Sequence, residues 1–460
     1  MPDILWTAQE AALACDATPF STWQCTGISI DSRNIEKGDL FVALKGPSFD
    51  GHNYVQAALK AGASAAIVSC IPKECRKHDN LLLVRDTATA LEKLAIASRA
   101  RSKAKVIAVT GSVGKTGVKE ALSHVLSKQG KTHATVGNLN NHFGLPLTLA
   151  RMAKDCDYAV LELGMNHAGE LTPLSKMAQP DVALITTVTS AHLEYFEGVE
   201  GIADAKCEIF KGLKKEGVAV LNADNPYFDR MAKAAQPHKV LSFAQNAAAD
   251  YKALSYHLLA QGSEIKADLN GTQTTYTVSH SGTHWITNSL AVLAGVDALG
   301  ANMAKAANDM AALSELKGRG ATHILDIPGG TICVIDESYN ANETSVRAAL
   351  DVLSHKPGRR IAVLGDMLEL GPDEIKIHKG LKDAFDKIDM VFTCGSLMKH
   401  LHDALPAQKR GAHASTSQNL SPLVTQAVQP GDVISIKSSR GSRTDLVLDA
   451  LLELNVKKET

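Results

Sequence analysis

The run Thr110-Gly111-Ser112-Val113-Gly114-Lys115-Thr116 constrains this chain more than any other stretch. An apolar segment, KVIAVT (105–110), leads into it. A helical pattern follows, with Val118, Ala121, Leu122, Val125 and Leu126 on one face. A strand, a glycine turn and a helix start make a phosphate cradle. Backbone N–H groups converge on the anion, and the helix dipole adds about half a positive charge. Lys115 is suited to bridging the β- and γ-phosphates of a nucleotide, and the Thr116 hydroxyl to ligating Mg²⁺. The usual GxxxxGKT spacing would put glycine at position 109, where Val109 stands. The motif is therefore a shortened TGSxGKT.

The rest of the chain is α/β throughout, and its length suits about three domains. Short strands at 26–31, 39–44, 65–69 and 81–84 surround a helical pattern at 54–63, predicting a small α/β unit over 1–85. A helix is expected over 87–102. Continuous apolar runs at 105–110, 158–163, 181–187 and 217–221 suit parallel strands covered on both faces. Alternation with glycine turns over 250–283 reads as an antiparallel hairpin, and a helix over 287–300 follows. Together these make a central P-loop domain over 86–316. Apolar runs at 331–336, 359–365, 389–394 and 432–437, with helices between, predict a doubly wound, Rossmann-like domain over 317–460.

Composition removes several functions. Lys plus Arg number 48 against 49 Asp plus Glu, so net charge gives no reason to bind nucleic acid or an anionic membrane. Aromatics are only 5%, too sparse for a base-stacking platform. No apolar run approaches the roughly 18 residues of a membrane span, and the N-terminus has no basic leader. The eight cysteines are scattered without CxxC or zinc spacing, as in a reduced cytoplasmic protein.

Eight segments then appear in order: DSRNIEKGDLFVALKGPSFDGHNYV (31–55), GNLNNHFGLPLTL (137–149), LELGMNHAGEL (161–171), SAHLEYF (190–196), ADAKCEIF (203–210), LNADNP (221–226), DESYNAN (336–342) and LGDMLELG (364–371). With the shortened loop, this series resembles the Mur ligase family almost end to end. The resemblance implies a cytoplasmic, monomeric, ATP- and Mg²⁺-dependent amide ligase of peptidoglycan precursor synthesis. It implies an acyl-phosphate intermediate and two small-molecule substrates, UDP-N-acetylmuramoyl-tripeptide and D-alanyl-D-alanine. Another Mur-type ligase, a folylpolyglutamate synthetase, or a nucleotide-gated module without turnover stay open as alternatives.

The family reaction must bring a carboxylate up to a triphosphate. At 4 Å and an effective dielectric near 20, two such charges repel by about 4 kcal/mol, so cations must gather there. By resemblance, Glu162, at the end of its strand, and His192 hold Mg²⁺ with Thr116. Lys206 resembles the family lysine that is carbamylated into an anionic oxygen ligand for a second Mg²⁺; a buried lysine has the depressed pKa that this needs. Residues 110–116 and Asn288 are expected on ATP, and Arg319 on the γ-phosphate when the domains close. Asp336 is expected on the ribose, with Tyr339 on the same loop. Lys115, Lys206, His192 and Arg319 are the expected catalytic set. Ser32, Arg33, Asp50, Gly51 and His52 are expected on the uridine diphosphate, and Asn138 and Asn141 on the muramoyl peptide.

Overall fold

A computed structural model describes residues 3–75, 80–190, 193–259 and 261–456. Besides a short antiparallel pair, Trp6–Thr7 with Gln24–Cys25, three larger sheets follow one another along the chain. The first is parallel, in the order β1 (Gly27–Ser29), β2 (Asp39–Val42), β3 (Ala65–Val68), β4 (Leu81–Leu83). All four residues of β2 and of β3 are buried, as short apolar strands covered on both faces should be.

Helix α1 (Thr87–Arg101) starts where the Asp86 carboxylate accepts from the Thr89 N–H at 2.7 Å. Its Leu91 and Leu94 pack into the N-terminal core with Trp6 and Leu40, while its Ala95 enters the core of the next sheet. One helix thus serves two cores.

The second sheet has nine strands: β5 (Lys105–Thr110), β6 (Thr132–Ala134), β7 (Tyr158–Glu162), β8 (Val182–Ile185), β9 (Val218–Asn222), β10 (Lys239–Ala244), β11 (Tyr251–Leu258), β12 (Ser263–Leu269) and β13 (Thr272–Val278). Their spatial order is β13-β12-β11-β10-β9-β8-β5-β7-β6. Helices α2 (Lys115–Ser127), α3 (Gly144–Ala150), α4 (Val199–Cys207) and α5 (Thr283–Ala298) complete the unit. On one face Leu122 and Leu126 of α2 meet Leu290 and Leu293 of α5 over Ile107 and Leu184. On the other, Leu145, Leu149 and Ile202 cover Val106, Leu161 and Ile185. The five residues expected to form the α2 stripe are all at most 1% exposed.

The expected hairpin is present as β12 and β13, joined at Asn270-Gly271 with φ of 54° and 90°. Two consecutive positive φ values match the twist of antiparallel strands, which is why Asn-Gly serves there. The hairpin is not separate from the sheet. β11 pairs antiparallel with β12 and joins β10 in parallel through Phe243 and Ala244. Helix α5 starts at Thr283, ahead of the expected 287, because Trp285 and Ile286 of its first turn are buried.

The third sheet contains β14 (Ala321–Ile327), β15 (Gly330–Glu337), β16 (Arg359–Gly365), β17 (Met390–Cys394), β18 (Arg410–Ala414) and β19 (Asp432–Lys437), in the order β14-β15-β19-β16-β17-β18. Five strands are parallel, as expected of a Rossmann-like unit; β14 adds an antiparallel edge. The third unit meets the central one where the backbone of Gly371 packs on that of Glu194. Among the described residues no helix is long and apolar enough to cross a membrane.

Candidate active site

β5 lies between β8 and β7, with Thr110 in register with Ile185 and Val109 beside Glu162. The chain leaves β5 toward one side of the sheet and leaves β8 toward the other. The crevice between their carboxyl ends is where open α/β sheets bind ligands. Residues 111–114 turn here. Gly111 has φ +149°, and a Cβ would lie 1.9 Å from Thr186 Oγ1, so no side chain fits. Thr186 Oγ1 donates to Val113 O at 2.6 Å. The Ser112 N–H donates to Thr187 O at 2.8 Å, and its hydroxyl donates to Thr189 O at 3.1 Å. The loop is thus moulded on the segment after β8. Gly114 ends it in the left-handed region, and no side chain caps α2. The first N–H groups of α2 therefore face outward without intrahelical partners, as an anion requires.

Lys115 folds back on its own loop, with Nζ donating to Gly111 O at 2.7 Å. Desolvation holds its pKa below the usual lysine value; Glu162 opposes that shift and Arg319 adds to it. The Thr116 hydroxyl donates to Glu162 Oε2 at 2.9 Å. Asn140 Nδ2 donates to Glu162 Oε1 at 2.8 Å. Glu162 is 2% exposed. Lys206, on α4, is equally buried, and no acid of the described residues lies within ion-pair distance of it. Burial drives its pKa well below the usual lysine value, and the nearby Lys115 charge pushes the same way. His192 lies outside the described residues.

Asn288 reaches the loop from α5: its Oδ1 stands 3.0 Å from where a side chain on Gly114 would begin. The Arg319 guanidinium lies over the Tyr339 ring, 4.2 Å from its centroid. Asp336 is 1% exposed, and its carboxylate is engaged by the chain itself. Its oxygens accept from Gly318 N (2.8 Å), Ser338 N (3.1 Å) and the Ser338 hydroxyl (2.6 Å). The expected ribose acceptor thus clasps the segment carrying Arg319, because β14 and β15 bring the two together in register.

The residues expected on uridine diphosphate are largely committed elsewhere. Ser32 opens a 3₁₀ turn capped by Asp31, and exposed Arg33 pairs with that same carboxylate at 2.6 Å. Asp50 Oδ1 accepts from the His52 main-chain N–H (2.9 Å) and lies 2.6 Å from His52 Nδ1. His52 Nε2 accepts from the Ser69 N–H at 2.9 Å, so Nδ1 carries the proton. His52 is buried, and both of its ring nitrogens are engaged within the N-terminal unit. Gly51 lets the chain pass close to Leu44, donating to its carbonyl at 2.8 Å. Asn141 Oδ1 accepts from Phe143 N and Gly144 N at the start of α3, while Asn138 is exposed. Sequence reading named these two asparagines and passed over Asn140 between them, the one that reaches Glu162.

Among the described residues no group of three or more His, Cys, Asp or Glu is arranged to hold a metal. Glu162 and Thr116 nevertheless offer a carboxylate and a hydroxyl oxygen side by side at the phosphate loop. That donor set fits Mg²⁺, which takes one or two carboxylates and completes its shell with phosphate oxygens and water. One cavity lies along α2 and another in the third unit. The first, of about 230 Å³, runs from Gly117 past Trp285 and His280 to the linker at Leu313–Leu316. The other, about 760 Å³, opens at the carboxyl edge of the third sheet between Asp366, Ser396, Thr416 and Arg443.

The sequence matches three family models: the Mur ligase family catalytic domain over residues 24–99, the Mur ligase middle domain over 109–296, and the Mur ligase glutamate ligase domain over 322–440. A UDP-N-acetylmuramoyl-tripeptide–D-alanyl-D-alanine ligase of Rickettsia prowazekii is 35% identical over 97% of this chain and 99% of its own length. The fold is similar to the crystal structure of MurF from Acinetobacter baumannii, with TM-score 0.86 and 32% identity over 98% of this chain and all of that one. It is also similar to MurF ligase of Thermotoga maritima in complex with ADP, with TM-score 0.76 and 27% identity over 93% and 97% of the two chains.

Proposed function

We propose, from the premise that the chain belongs to the Mur ligase family, that it joins D-alanyl-D-alanine to UDP-N-acetylmuramoyl-tripeptide at the cost of ATP, in the cytoplasm and as a monomer. The observation that carries the reading is the meeting of Thr116, Glu162 and Lys115 at the head of β5, with Lys206 buried alongside.

The loop N–H groups and Lys115 bind the triphosphate, and Arg319 approaches it from the third unit. Thr116 and Glu162 would hold one Mg²⁺, with His192 as a further metal ligand, and a carbamylated Lys206 would serve a second Mg²⁺. The metal, when bound, offsets charge between the γ-phosphate and the incoming carboxylate. A carboxylate oxygen of the tripeptide attacks the γ-phosphorus, and the bond to ADP breaks. The free amine of the dipeptide then attacks the acyl carbon. An amide bond forms, inorganic phosphate leaves, and the amine loses a proton. The cleft at Asp366 and Arg443 is the place for the dipeptide. Gly371 packs on Glu194, a contact between that unit and the central one, and closure of the two would limit water at the acyl phosphate.

The amine of Lys206 suits carbamylation. With no acid of the described residues beside it and its proton affinity lowered, it is available as the neutral form that attacks CO₂. The N–C bond forms, one C=O π bond becomes a carboxylate oxygen, and nitrogen loses a proton.

A phosphate-release assay tests the reading. Release should need UDP-muramoyl-tripeptide and D-alanyl-D-alanine together. Release with folate plus glutamate would favour a folylpolyglutamate synthetase. No release with any acceptor pair would favour a module without turnover.

A further inference from the structure

Glu162 is gripped from two sides. Thr116 donates to Oε2 at 2.9 Å and Asn140 Nδ2 donates to Oε1 at 2.8 Å. Each donor takes one oxygen, so the carboxylate plane cannot rotate without breaking a bond. Thr116 belongs to the phosphate loop and is itself suited to the metal. Asn140 has no such second duty, and its neutral amide leaves the full charge of Glu162 in place.

The main chain of Asn140 is anchored in turn. The main-chain carbonyl of Asn140 accepts from Gly164 N at 2.9 Å, two residues beyond Glu162 on the same strand end. Its N–H donates to Asn138 O at 2.8 Å. On its other side Asn141 caps α3 through its own side chain. The amide faces Glu162 with its nitrogen, because its oxygen would oppose another acceptor there. Of three asparagines within four residues, Asn138 and Asn141 are exposed and only half-buried Asn140 reaches the buried acid.

We infer that Asn140 is a positioning residue that fixes the carboxylate of Glu162 in the orientation in which it binds the divalent metal. This rests on the proposed metal role of Glu162. A mobile carboxylate would lose rotamer freedom each time it met the cation. A clamped one does not. Partners of metal ligands are typically worth about 10- to 100-fold in metal affinity.

The test uses full-length protein with ADP and Mn²⁺ as a spectroscopic stand-in for Mg²⁺, bound metal being read by electron paramagnetic resonance. Asn140→Ala should raise the half-saturating Mn²⁺ concentration about 10-fold or more. It should leave ADP affinity in EDTA and the melting temperature near wild type. Asn140→Ser should fall between, and it carries the test if the alanine variant does not fold. In a Glu162→Gln background, Asn140→Ala should add less than about twofold, because the two act through one contact. A metal affinity unmoved by Asn140→Ala, while Glu162→Gln weakens it, overturns the inference alone. A metal affinity unmoved by Glu162→Gln overturns the metal reading as well.

Discussion

The guanidinium of Arg319 rests 4.2 Å above the ring of Tyr339, within the same unit that clasps Gly318 through Asp336. Arg319 therefore travels with the third sheet, although it sits at its very start. Stacking without desolvation is worth about 0.5–1 kcal/mol, and more when water is excluded. Tyr339→Phe keeps the ring and should retain turnover. Tyr339→Ala should lower kcat about 10-fold, and Arg319→Ala about 10³-fold, in phosphate release. Equal losses in the Phe and Ala variants would mean that the hydroxyl, not the ring, matters.

Lys115→Ala should reduce turnover by at least about 10²–10³-fold, because no other cation bridges the terminal phosphates from the loop. The protein should remain folded, since Nζ contacts only loop carbonyls. Circular dichroism and a nucleotide-binding titration separate the two effects.

For Lys206, loss of the side chain and its chemical replacement make one experiment. Lys206→Ala should be nearly inactive and should regain part of its activity with added short-chain carboxylates. A well-folded variant that no carboxylate rescues would count against the carbamate.

The same buried amine predicts a pH effect in carbonate-free buffer. Its folded pKa lies below that of the unfolded chain. Between the two values the unfolded chain holds the extra proton, so stability rises with pH; below the folded value the burial penalty is fully present. Urea midpoints measured as pH rises toward the usual lysine value should climb more steeply in wild type than in Lys206→Met. Parallel curves would mean that Lys206 does not titrate there.

His52→Ala should destabilise the N-terminal unit by about 1–3 kcal/mol, because the Ser69 N–H loses its acceptor inside the protein. It should leave ATP binding unchanged. Limited proteolysis within the first 85 residues measures the former and a nucleotide titration the latter.

The phosphate loop was legible because its signal is local: an apolar strand, small turn residues and a striped helix lie within 25 consecutive positions. The buried set Val118, Ala121, Leu122, Val125 and Leu126 follows from periodicity alone. The three-part α/β order and the hairpin with glycine turns were readable for similar reasons. What could not be read depends on partners far along the chain. Asp50-Gly51-His52 looks like a polar turn open to a ligand until β3 brings Ser69 against the imidazole. Asn140 differs from Asn138 and Asn141 only in facing Glu162, which the sequence places 22 positions away. Asp336 looked free until the β14–β15 pairing laid Gly318 on it.

Thr186 fills the space under Gly111 and ties down Val113, while Ser112 is bonded to the neighbouring strand end. The anion-binding curve is accordingly rigid before any nucleotide arrives. Capture of ATP then requires no disorder-to-order transition, so it should be fast and nearly free of the heat-capacity change that accompanies coupled folding. Slow, concentration-independent kinetics on mixing would have to come from movement of the whole third unit, not from this turn.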